Sequence, residues 1–200
     1  MAKILIAYAT MTGSTAEIAQ AIAEEIAKGG LQVDVLPISQ VQDLDPYAGV
    51  VVGAPMIMGW HRSALSFLRR HRRAFQRIPL AVFAAAMSLT RTGETSVDGV
   101  PVFVDENLPK SPKNEASLSF RERYATLSNY LRPVLRAAHP AKPTSLGIFG
   151  GRLEYGRLKW WAVLFAMVII QAPAGERRNW SAIRAWAASI IPAFHLESLS

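Results

Sequence analysis

The sequence predicts an α/β protein, a doubly wound three-layer fold on a five-stranded parallel sheet. Three observations carry that reading. Short, continuously apolar runs of strand length recur along the chain, amphipathic helical patterns alternate with them, and glycine and proline punctuate the joins. Right-handed crossovers between parallel strands then put helices on both faces. Half of the 200 residues are apolar and 18% are charged, which suits a buried core and excludes a disordered polyelectrolyte. A single domain over residues 1–200 is expected.

Ile4-Leu5-Ile6-Ala7-Tyr8 is the first strand, apolar throughout. Ile18, Ile22 and Ile26 then repeat every four residues while Glu17, Gln20 and Glu24 stay polar, which is a helix, and Gly29-Gly30 closes it. Val33-Asp34-Val35 alternates as an edge strand does, and Gly49 to Ala54 is a fully apolar strand. Leu65, Phe67 and Leu68 mark a helix between Ser63 and Phe75, Pro79 to Ala86 a buried strand, and Leu146 to Phe149 the last one. A helix near Trp180 to Ile191 closes the fold.

Two stretches interrupt this rhythm. Between Leu89 and Ser119, Gly93, Gly99, Pro101, Pro109 and Pro112 break the chain and only Val102-Phe103-Val104 resembles regular structure, so a loop insertion or lid is expected near 90–120. Helical spacing resumes from Phe120 through Tyr124, Leu127, Leu131 and Leu135. The second interruption is an apolar helical insertion near 153–175, which holds eleven uninterrupted apolar residues from Trp160 to Ile170. As a helix these would span ~16 Å, about half of a ~30 Å hydrocarbon core, so they cannot cross a bilayer. Three readings stay open for them: a buried core helix, a surface helix seating Trp160 and Trp161 at a lipid boundary, or a dimer interface.

The chemistry concentrates after the first strand. Thr10-Met11-Thr12-Gly13-Ser14-Thr15 places four hydroxyls in six residues where the first helix begins. A helix N-terminus presents unpaired N–H donors and about half a positive charge, so a phosphate binds there and hydroxyls complete its shell without a cation. A lone Thr-Gly-Ser would be an ordinary N-cap cluster. The chain has neither a Gly-x-Gly-x-x-Gly nor a Gly-Lys-Ser/Thr motif at this point, which argues against dinucleotide and nucleoside-triphosphate loops and favours a terminal monophosphate.

Tyr8-Ala9-Thr10-Met11-Thr12-Gly13-Ser14-Thr15, with a strand before and a helix after, resembles the phosphate loop of the flavodoxins. That resemblance implies a flavodoxin-like sheet of strand order 2-1-3-4-5 and an FMN cofactor, its phosphate on Thr10, Met11, Thr12, Gly13, Ser14 and Thr15. It also implies a flavin ring flanked by Ala54, Pro55, Met56, Ile57, Met58, Gly59 and Trp60 on one side and by Met87, Ser88, Leu89 and Thr90 on the other. Trp60 is expected to stack on the ring or to anchor its loop. A narrower resemblance rests on Gly53-Ala54, Gly59-Trp60-His61-Arg62-Ser63-Ala64, Gly150-Gly151-Arg152-Leu153-Glu154-Tyr155, the Trp-rich apolar segment and the last Trp-bearing helix. These are similar to the menaquinone-dependent protoporphyrinogen dehydrogenases of heme biosynthesis. The likeness implies a quinone and a hydrophobic, tetrapyrrole-like substrate as partners. The segment from Thr92 to Arg123 is extra relative to that family.

The remaining features bound the rest. The net charge is +7, and His61 to Arg77 holds six arginines and two histidines with no acid. Such a helix is a solvated face, a docking site for anionic lipid or an acidic partner, and without a recognised nucleic-acid motif it is not read as a nucleic-acid interface. With no cysteine there is no disulfide, thiolate nucleophile or Cys-held metal, so redox chemistry needs a borrowed cofactor. The four histidines lack metal-ligand spacing, and no catalytic base stands out. The short apolar run at the N-terminus does not make a signal peptide, so the expected place is the cytoplasm, and the +7 charge leaves a peripheral position at the inner face of the membrane as an open reading.

Overall fold

A computed structural model describes residues 3–56, 59–114, 117–153 and 175–195. The elements run β1 (Lys3–Tyr8), α1 (Ser14–Lys28), β2 (Gln32–Pro37), β3 (Gly49–Met56), α2 (Arg62–His71) and β4 (Leu80–Ala86). Then come β5 (Leu89–Thr90), β6 (Ser96–Val97), β7 (Val100–Val104), β8 (Pro109–Lys110), α3 (Phe120–Tyr124) and α4 (Leu127–Ala138). β9 (Ser145–Gly150), β10 (Arg152–Leu153), β11 (Gly175–Glu176) and a final helix α5 (Trp180–His195) complete the described chain.

The main sheet has the order β2-β1-β3-β4-β9-β7-β6, with β1, β2, β3, β4, β9 and β7 parallel. Its first five strands are the expected 2-1-3-4-5 arrangement. Alternate side chains go to opposite layers, as a pleat demands. Leu5, Val50, Val52, Leu80, Val82, Leu146 and Ile148 pack with α2 and α4, whereas Ile4, Ile6, Val51, Phe83 and Phe149 pack with α1 and α5. On the second face Trp186 is fully buried, edge-on to Phe149 at 5.6 Å and Phe83 at 6.2 Å, and its Nε1 donates to Ser145 Oγ at 2.9 Å. Glycine makes that packing possible. A Cβ on Gly53 would stand 2.1 Å from the Phe83 ring, and one on Gly147 2.9 Å from Trp186.

The segment expected as a loop insertion near 90–120 is built differently. β7 adds a sixth parallel strand beside β9, with Val102, Phe103 and Val104 opposite Leu146, Gly147 and Ile148. Buried Asp105 secures it, accepting from Gly150 N at 3.4 Å, Asn107 N at 3.1 Å and Asn179 Nδ2 at 3.1 Å. A short Val-Phe-Val run, of residue types that suit strands, therefore became a strand once β9 offered it a ladder. The helix expected from Phe120 is two helices, because Thr126 turns extended (φ −89°, ψ 155°) between α3 and α4. The apolar run Trp160–Ile170 lies outside the described residues.

Candidate functional site

In open parallel sheets ligands bind outside the carboxyl ends of the strands, at the crevice where the strand order reverses. Here that crevice lies above β1 and β3. Ala9 N donates to the Gly53 carbonyl at 2.8 Å, so the chain leaves β1 still tied to β3. Gly13, at φ +93°, then turns it into α1. A β-carbon would be strained there, which is why glycine stands at the bend. Thr10 Oγ1 accepts the Gly13 N–H at 2.9 Å and closes the loop. No side chain caps α1, so its first-turn N–H groups are left for an acceptor from outside.

Thr10, Met11, Thr12, Ser14 and Thr15 line one cleft together with Pro55 and Met87, which joins the expected phosphate loop to one residue from each expected ring loop. Ala85, Gly151 and Arg152 line it too, and the motif alone did not include them. Gly151 N donates to Ala86 O at 3.0 Å, which carries β9 past its end and sets Arg152 beside the loop. Arg152 N then donates to Ser14 Oγ at 3.0 Å. With its lone pair engaged, that hydroxyl keeps its own proton to give to an anion. Arg152 pairs with Glu17 at 3.0 Å, and buried Arg178 meets the other Glu17 oxygen at 2.6 Å. Arg178 also pairs with Glu176 and lies 4.5 Å from the Trp180 ring centroid. Hydrogen bonding to Arg178 holds the Glu176 carboxyl below its usual range.

The ring end matches expectation less closely. Trp60 is 6% exposed, bridges back to Met56, and donates Nε1–H to the Tyr130 carbonyl at 2.6 Å. It anchors its loop in the core, the second of the two roles read for it, because a buried indole N–H needs an acceptor. Ala54 and Met56 are buried in the same core, while Ile57 and Met58 lie outside the described residues. Leu89 and Thr90 are drawn inward as well. They pair with Pro109 and Lys110, and Thr90 bonds through N to Ala125 O (2.7 Å) and through Oγ1 to Glu122 O (2.8 Å). Gly59 turns at φ +107°, and Ser88 is exposed; neither lines the cleft. Among the described residues no group of His, Asp and Glu could hold a metal, and the cleft lining contains no carboxylate or imidazole.

A family model for the flavodoxin domain matches residues 5–178. Protoporphyrinogen IX dehydrogenase [quinone] of Escherichia coli K12 is 23% identical over 177 residues, covering 87% of this chain and 82% of its own, and the protein from strain O157:H7 matches equally. Among solved structures, the Flv1 flavodiiron core of Synechocystis sp. PCC6803 aligns at TM-score 0.50 and 12% identity over 99% of this chain and 36% of that one. A flavodoxin from Streptococcus pneumoniae TIGR4 aligns at TM-score 0.48 and 13% identity over 98% and 99%. The Flv1 likeness concerns the fold alone.

Proposed function

As this chain belongs to the flavodoxin domain family and takes that family's cofactor, FMN, we propose that it is an oxidoreductase moving electrons from a hydrophobic, tetrapyrrole-like donor to a quinone. The observation that carries the reading is the match to the E. coli dehydrogenase, which runs over 87% of this chain and 82% of that one. The cleft suits FMN at its phosphate end. Uncapped N–H groups of α1, the hydroxyls of Thr10, Thr12, Ser14 and Thr15, and Arg152 would hold the dianion. Pro55, Ala85 and Met87 give the cleft an apolar wall that excludes water. Bound FMN supplies the redox chemistry, taking hydrogen from the donor and passing it to the quinone. The described residues bind and orient; none of those lining the cleft is a general base.

Donor and acceptor of this kind both partition into lipid, which favours work at an anionic membrane surface. Two features could meet it: the apolar run Trp160–Ile170, and an open face where α2 ends, lined by Arg69, Arg70, Arg72 and Arg73. Trp160→Ser with Trp161→Ser should therefore reduce flotation with anionic liposomes, and unchanged flotation would remove the run from that role.

A flavodoxin-like electron-transfer module with no small substrate of its own is the second reading, favoured by the lack of an acid or base in the described cleft. Visible absorbance separates the two. Protein reconstituted with FMN and desalted should keep its flavin, bleach on anaerobic mixing with protoporphyrinogen, and recover with a menaquinone analogue. Retained flavin that never bleaches selects the carrier.

A further inference from the structure

α2 has two chemically distinct sides. Ala64, Phe67 and Leu68 are buried in the core beneath it. At 3.6 residues per turn the opposite side carries Arg62, Ser66, Arg69 and Arg70, and Arg73 continues that line because its backbone stays helical past the last turn (φ −76°, ψ −37°). All five side chains are exposed, with Arg72 at their flank. His71 belongs to the inner side. Its ring centroid lies 4.6 Å from that of Phe67 and 6.4 Å from that of Phe75, and burial, with Arg70 beside it, holds the imidazole below its ordinary range. The outer ridge is therefore guanidinium throughout, save for one hydroxyl.

Nothing within the chain neutralises this ridge. Asp43 is near enough to act on His71, yet among the described residues no ion pair reaches Arg62, Arg69, Arg70, Arg72 or Arg73, whereas Arg152, Arg178 and Arg184 each meet a glutamate. The helix dipole favours cations in the last turn, but Arg62 stands in the first, where the dipole opposes it and no acid compensates. Arg69 with Arg72 and Arg73, and Arg70 with Arg73, are like charges at the three- and four-residue spacings that destabilise a helix. An anion from outside the chain relieves all of these at once.

We propose that the outer ridge of α2 is the face by which the protein lies on the phosphate headgroups of an anionic bilayer. The choice of lipid over an acidic protein rests on the lipid-soluble donor and acceptor proposed above, and also on what the ridge lacks. The large apolar side chains left exposed among the described residues are Met11, Phe120 and Tyr124, none of them on α2, so the ridge offers no apolar anchor of the kind that centres protein interfaces. Headgroups need none, because each basic side chain near an anionic surface adds its own attraction. The ridge shares no residue with the cleft, so docking and flavin binding are separable.

The test is co-sedimentation of the full chain with vesicles of phosphatidylcholine, alone or mixed with phosphatidylglycerol, at low and moderate ionic strength. Wild type should bind the mixed vesicles far more tightly than the neutral ones and let go as salt rises. Arg69→Gln with Arg73→Gln should weaken that binding about twenty-fivefold, roughly fivefold for each basic residue lost, with the thermal midpoint and FMN retention unchanged. Arg69→Lys with Arg73→Lys should keep most of it, because a bilayer reads charge rather than the guanidinium fork. Lys28→Gln with Arg184→Gln, the same loss of charge on α1 and α5, should bind as wild type does. Equal binding to both kinds of vesicle, or wild-type binding in the double Gln variant, would overturn the inference. So would an equal loss in the Lys28 and Arg184 variant, which would reduce the effect to net charge. Tighter binding to polyglutamate than to the mixed vesicles, lost in the Lys variant, would overturn it in favour of an acidic protein partner. A wild type that docks through the ridge but passes no electrons to a quinone would refute the proposed reaction and leave the ridge standing.

Discussion

The two ends of the cleft, proposed above to take the phosphate and the ring of FMN, are built in opposite ways. Six consecutive residues, Thr10 to Thr15, supply most of the phosphate end, and the helix they open supplies the field. The end proposed for the ring draws on the turn after β3 and the turn after β4, through Pro55 and Met87. An anion needs donors at one point, which a single bend of chain can provide. A flat ring needs walls on separate sides, and these come only from segments that the fold brings together.

Substitutions at the two ends should therefore separate, beginning with the strongest. A Cβ on Gly150 would stand 2.0 Å from the Arg177 carbonyl oxygen, a backbone atom that cannot rotate away. Gly150→Ala should cost about 3 kcal/mol, at the upper end for overpacking, and displace β11 with Arg178, so FMN binding should suffer more than riboflavin binding. An unchanged thermal midpoint would show that the two strands can part freely. Ser14→Ala removes a hydroxyl from the cradle and leaves the Arg152 N–H without its acceptor. FMN affinity should fall about tenfold, equivalent to ~1.4 kcal/mol, while riboflavin, lacking the phosphate, should bind as before; equal loss of both ligands would relocate the phosphate.

At the ring end, Trp60→Phe should lower stability by about 1 kcal/mol through the lost hydrogen bond to Tyr130. Flavin affinity should not change. A large drop in affinity with normal stability would return Trp60 to the ring. A smaller effect is expected from Arg152→Gln, because a partly exposed cation acts through water and salt. Its signature is a flatter salt dependence of FMN binding, measured between low and moderate ionic strength.

The smallest difference appears with pH. Glu176 is held below its ordinary value by Arg178, and Glu122 of the α3 cap is pulled down to about 2 by Ser119 and the Lys113 N–H. A depressed carboxyl stabilises the fold fully above its unfolded value of 4.5 and loses that contribution as the pH falls through its folded value. Glu176→Gln should remove part of the acid-induced loss of stability at the phosphate end. Glu122→Gln should do the same for α3, down to about pH 2. Acid melting curves that keep the wild-type shape in both variants would contradict these pairings.

The sequence by itself determined the parallel sheet, the layered helices and the hydroxyl-rich turn that opens α1. Each of these is written in short-range pattern: continuous apolar runs for buried strands, isoleucines every fourth residue on α1, and hydroxyls with a glycine at a helix start. Tertiary structure alone decided the rest. Val102-Phe103-Val104 became a strand because β9 had a free edge, Trp60 went to the core because Tyr130 offered a carbonyl, and Leu89 and Thr90 turned inward because β8 and α3 took their hydrogen bonds. Arg152 joined the phosphate loop from 138 residues beyond Ser14. The physical reason is common to all four. Local patterning fixes which face of an element is apolar, but a hydrogen bond or a packed ring is settled by whichever distant group arrives opposite it, and that is a property of the assembled fold.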